Sequence, residues 1–128
     1  MSDSARERGQ AVYKKLFGRK KKFERDHTAL DEFTTDHLFA NVWGRPNLEM
    51  RQRSIITVAL LAALGRDRDL KRHIEGALHL GITRDEIIET MIHVAHYAGW
   101  PAGHNGQCLA QEMFKSFNEI EAAHEPSK

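Results

Sequence analysis

Cysteine is nearly absent from this 128-residue sequence: Cys108 stands alone, so no internal disulfide can form and no second thiol can resolve one. A lone thiol fits a reducing compartment. Long apolar runs are missing too. The longest, Ile55 to Leu64, is interrupted by Thr57 and is too short to span a bilayer, and the opening MSDSARERGQ lacks the apolar segment of a signal peptide. The expected location is cytoplasmic. Neither charge sign dominates: 19 Lys plus Arg against 18 Asp plus Glu leave a net charge of +1, which supplies no general attraction to nucleic acid or membrane. There is no G-x-G-x-x-G, no GxxxxGK[ST], no G-x-S-x-G and no CxxC. Nucleotide-dependent chemistry and nucleophile-elbow hydrolysis therefore have no local signature. No segment alternates with period two, so no sheet is expected.

What is present is helical punctuation. With 41% hydrophobic and 29% charged residues, the composition is that of an ordinary globular protein, and the length suits a single domain, 1–128. A first amphipathic helix is expected from Ser4 to Leu16 and stops at Gly18. The basic run Arg19–Lys22 is followed at once by Phe23, Glu24 and Asp26, and reads as a solvated connector that closes an N-terminal section, 1–28. A second helix runs from about Leu30 to Val42, and Trp43-Gly44-Arg45-Pro46 breaks the chain. From Glu49 a polar first turn leads into residues apolar almost all round as far as Gly65, which predicts a central helix buried on every side.

The most informative stretch is Leu70 to Pro101. Leu70, Ile74, Ala77 and Leu78 recur at helical spacing, with His73 among them, and Gly81 is placed to end the helix. Thr83-Arg84-Asp85-Glu86 has the form of a capping box before the next helix. So short a turn favours a central antiparallel pair. The second helix of the pair carries Glu89, His93, His96 and Tyr97 along one edge and ends at Gly99-Trp100-Pro101. Pro101 suits the first turn of a last helix, with Ala102, Leu109, Ala110, Met113, Phe114 and Phe117 as its apolar stripe, and a frayed tail from 119 to 128.

Several of these residues could carry chemistry. On an apolar face His73 is either a core histidine satisfied by a neighbour or an imidazole whose burial tunes it for proton chemistry. His93, His96 and Tyr97 share a face and could line a groove, cover an interface or hold a metal. HxxH alone lacks a third ligand, so no metal is expected. His104 and Asn105 lie where helix N-terminal donors could meet an anion. Arg45 and Arg53 could grip carboxylates, whereas Arg51, two residues from Arg53, diverges from it.

Taken together, Trp43, Arg45-Pro46, Leu48, Arg53-Ser54-Ile55-Ile56-Thr57, Leu70-Lys71, His73, Gly81, Thr83-Arg84-Asp85-Glu86-Ile87, Tyr97, Gly99 and Pro101-Ala102 resemble the carboxymuconolactone decarboxylase family. The likeness is nearest its gamma-carboxymuconolactone decarboxylases, and Gly9, Val12 and Leu16-Phe17-Gly18 extend it to the first helix. The resemblance implies an all-α domain of about six helices of alkylhydroperoxidase D-like type, assembled as a homotrimer or homohexamer. It implies decarboxylation of 4-carboxymuconolactone, or a closely related carboxylated lactone, to 3-oxoadipate enol-lactone with no cofactor. His73, Arg45 and Arg53 would then be catalytic. Trp43, His93, His96, Tyr97, Trp100, His104 and Asn105 would contact substrate. The peroxidases of the same superfamily carry CxxCxxxH; here Arg66 and Asp69 stand at the cysteine positions and Ser54 at the glutamate position, so peroxidase chemistry is not expected. Asn47 and Glu49 replace an expected glycine and proline. Another decarboxylase or isomerase of a cyclic acid, and a non-catalytic oligomeric binding protein, remain open.

Overall fold

The computed structural model describes residues 4–124, with side chains described through 120. Among them are six α-helices and one π-helical segment, and no strand. The helices are α1 (Ala5–Phe17), α2 (Ala29–Phe33), α3 (Met50–Leu64), α4 (Asp67–His79), α5 (Arg84–Ala98) and α6 (Trp100–His124); the π segment is Thr34–Val42. The end of the expected tail, 125–128, lies outside the described residues. Backbone contacts gather the chain into two units, one up to Arg53 and one from Ser54 onward.

In the first unit, Ser4 caps α1 by accepting the Glu7 N–H, and Thr28 with Asp31 forms a reciprocal capping box on α2. The Thr28 N–H on its carboxylate holds Asp31 below the ordinary carboxylate range. The second expected helix departs from α geometry halfway. After Phe33 the bonds shift to i→i−5, as in Trp43 N–H to the Leu38 carbonyl at 2.9 Å, which widens the turn and rephases the side chains. Thr35, Phe39, Ala40 and Trp43 become the buried set, while Leu30, Phe33 and Leu38 stay exposed. Helix α1 packs on this segment at Gly9, where any Cβ would collide with the Thr35 carbonyl. Around it Tyr13, Phe17, Phe39 and Trp43 form a chain of ring contacts with centroids 4.6–6.1 Å apart. Arg6 closes the edge with two bonds to Asp36, 3.0 and 3.1 Å, and one to Glu32.

The second unit buries Val58, Leu70, Ile74, Ala77, Ile87, Met91 and Ala110 in one apolar core. Helices α4 and α5 both pack on α6. The left-handed Gly81 (φ 88°) ends α4, and Thr83 with Glu86 starts α5 as a capping box, as the sequence indicates. Gly99 (φ 107°) then lets α6 begin at once at Trp100, with Pro101 in its first turn. Contact between α5 and α6 depends on Gly103: a Cβ there would lie 2.6 Å from the Met91 carbonyl oxygen.

Helix α3 corrects an expectation. It is not buried on every side. Ser54, Val58 and Ala62 form its covered face, while Ile56, Leu60 and Leu64 are 45%, 56% and 63% exposed. An apolar periodicity with no polar face does not say which sides acquire neighbours.

Candidate functional site

His73 sits on α4 between the buried residues Leu70, Ile74 and Ala77, because helical spacing turns all four toward the same side. Its Nδ1 is sealed from solvent. Desolvation lowers its pKa from 6.5 to about 4; the Arg72 charge pushes the same way and Asp69 pushes back weakly. A neutral imidazole is thus the resident form at neutral pH. Asp69 and Arg72 approach each other at 3.8 Å on the exposed side of the same helix.

Arg45 and Arg53 belong to the first unit. Arg45 occupies the turn after the π segment, where its N–H bonds the Val42 carbonyl and its side chain is exposed. Arg53 is half-buried, and its Nη2 donates to the Arg45 carbonyl oxygen at 3.3 Å. One guanidinium therefore supports the turn that carries the other, a relation the spacing did not reveal. Arg51 is exposed. Trp43 is buried against Phe39, so its ring is part of the first unit's aromatic core.

The histidine edge of α5 divides in two. His93 stacks on Tyr97, with centroids 4.8 Å apart and planes at 23°, and lines a cavity of about 460 Å³. Ile55, Ile56 and Ala59 of α3 and Ile92 of α5 wall this cavity, and Glu86 and Glu89 line it beside His93. The two carboxylates beside His93 make that neighbourhood unfavourable for an anion. His96 turns the other way. Its Nδ1 donates to the Ile92 carbonyl at 2.7 Å, and its ring meets Trp100 edge-on at 5.7 Å. Trp100 and His104 share a small cavity of about 60 Å³ with Met91 and Gly103. Among the described residues no three His, Cys, Asp or Glu side chains converge as a metal-ligand set. Asn105 is engaged elsewhere: its Nδ2 donates to Asp67 Oδ1 at 3.0 Å, joining the second turn of α6 to the start of α4. That bond occupies one donor of its side-chain amide.

The α3 side of the large cavity was not legible as site. Ile55 and Ala59 have the i, i+4 spacing of a shared stripe, but an apolar stripe in an apolar helix reads as core.

Comparison with known proteins adds the family. A family model described as the carboxymuconolactone decarboxylase family matches residues 28–106. A 4-carboxymuconolactone decarboxylase of Acinetobacter baylyi is 39% identical over 83 residues, 65% of this chain and 62% of that protein. A nitrosuccinic acid decarboxylase of Metarhizium robertsii is 37% identical over 89 residues, 70% of this chain and 60% of that protein. The matches thus span about three fifths of the length of these curated relatives. No helix of the described residues is long and apolar enough to cross a membrane. With most of its length under the family model, and the family's spaced residues on the elements described above, the chain belongs to the carboxymuconolactone decarboxylase family.

Proposed function

We propose that the protein is a cofactor-independent decarboxylase of a small carboxylated acid, with 4-carboxymuconolactone or a close carboxylated lactone as substrate and 3-oxoadipate enol-lactone as product. The observation that carries this reading is His73, a desolvated imidazole neutral at neutral pH within the family's matched segment. In such a reaction the bond to the carboxylate carbon breaks, and its electron pair passes through the ring alkene to the lactone carbonyl. The resulting dienolate then takes a proton on carbon. At pH 7 a group with a pKa of about 4 is protonated in about one molecule in a thousand, so His73 suits hydrogen-bond donation to the developing oxyanion better than delivery of a proton. Nitrosuccinic acid, named for the fungal relative, makes the same demand: loss of carbon dioxide leaves charge on the oxygens of a neighbouring nitro group. Arg45 and Arg53 are proposed as carboxylate ligands on their chemistry alone. A homotrimeric or homohexameric assembly, expected from the resemblance, is part of the proposal, as is a cytoplasmic location.

The test is carbon dioxide release from 4-carboxymuconolactone and from nitrosuccinic acid, with wild type and His73→Gln side by side. Turnover of the lactone, reduced about 10²–10³-fold in kcat by His73→Gln, would agree with the loss of one oxyanion donor. Turnover of the nitro acid alone would keep the chemistry and change the substrate. No release from either by the assembled protein would leave the non-catalytic binding reading. Arg45→Ala should raise KM by about tenfold or more if Arg45 holds a substrate carboxylate.

A further inference from the structure

The cavity of about 460 Å³ between α3 and α5 is lined by none of the residues given a role in the proposed decarboxylation. His73 does not line it, and its only charged lining residues are Glu86 and Glu89. The two carboxylates are not equivalent. Glu86 accepts the Thr83 N–H at 2.8 Å as part of the α5 cap, and so has a role in starting the helix. Glu89 has no hydrogen-bond or ion-pair partner among the described residues, and no lysine or arginine lines the cavity. It therefore presents an uncompensated negative charge over walls made by Ile55, Ile56, Ala59 and Ile92. His93 also lines the cavity, with one face of its ring stacked on Tyr97.

A carboxylate beside apolar walls repels an anion and gives a neutral ligand only the hydrophobic contribution. An occupant with an apolar body and one positive charge gains both terms. The volume is that of a ligand-sized pocket. We infer that this cavity is a second binding site, separate from His73, for a small organic ammonium ion with an apolar or aromatic body.

Three probes of similar size and different charge test it: 2-phenylethylammonium, 2-phenylethanol and 3-phenylpropionate. They are titrated at about pH 8, where ordinary imidazoles are neutral, and followed by calorimetry and by amide shifts of residues 55–59 and 86–93. The ammonium ion is expected to bind at least tenfold more tightly than the carboxylate, with shifts confined to those two segments. Glu89→Gln, a change at an exposed position, should weaken the ammonium ion about fivefold and leave the alcohol unchanged. Ala59→Phe, which narrows the cavity, should weaken both. Equal binding of the three probes, an ammonium affinity indifferent to Glu89→Gln, or probe binding that competes with self-association would overturn the inference. The last result would make a second copy of the chain the occupant.

Discussion

His73 shows how one side chain's surroundings set both its chemistry and its effect on stability. Its folded-state pKa near 4 lies below the ordinary 6.5, so above 6.5 neither state holds the proton and the depression has no effect on folding. As pH falls from 6.5 toward 4, the unfolded chain binds a proton that the folded chain refuses, and stability declines. Below about 4 the loss is complete, at most on the order of 3 kcal/mol. Urea unfolding of wild type should therefore weaken more steeply between those pH values than that of His73→Gln, whose side chain does not titrate. Parallel curves for the two proteins would show that His73 protonates normally in the folded state. At the same scale, Asn105 and Arg53 each direct a donor at a protein partner, Asp67 and the Arg45 carbonyl, and so shape a turn or a helix start.

At the scale of elements, the contact between α5 and α6 is set by what is missing from α6. Gly103 lets the Met91 carbonyl and the Ala95 methyl approach to distances that leave no room for a Cβ. Both obstacles belong to a helix flank that cannot swing aside as a flexible side chain would. Gly103→Ala should therefore push the helices apart and lower stability by about 1–3 kcal/mol despite its better helix propensity. Thermal melting and the amide-exchange protection of α5 and α6 would register it; an unchanged or raised Tm would mean that the helices adjust freely. In the first unit the comparable event is the passage from α2 into the π segment, where a wider turn brings Thr35, Phe39, Ala40 and Trp43 into the buried set.

At the scale of the whole molecule, the side of α3 bearing Leu60 and Leu64 is apolar and exposed. Burying two such leucines in an interface would contribute roughly 1.5–3 kcal/mol each. The double change Leu60→Glu and Leu64→Glu should leave helical content intact, since neither residue belongs to the buried core, and should shift sedimentation from an oligomer toward the monomer. Unchanged sedimentation of the double variant would remove this face from the proposed assembly.

The sequence by itself determined the helical class, the places where most helices start and stop, and the family. Those signals are local. Ser4, Thr83 and Glu86 bond backbone groups three residues away; Gly18, Gly65 and Gly81 adopt the left-handed conformation that ends a helix; Pro101 fixes a first turn. Only the tertiary structure decided which sides of α3 are covered, where the π turn resets the register, and that His93 and His96 part company. Residues three apart point about 60° from each other around a helix, a small angle that becomes decisive once Ile55 and Ala59 stand beside one and Trp100 beside the other. The depressed pKa of His73 and the bond from Asn105 to Asp67 have the same origin, since both depend on neighbours that distant parts of the chain bring together.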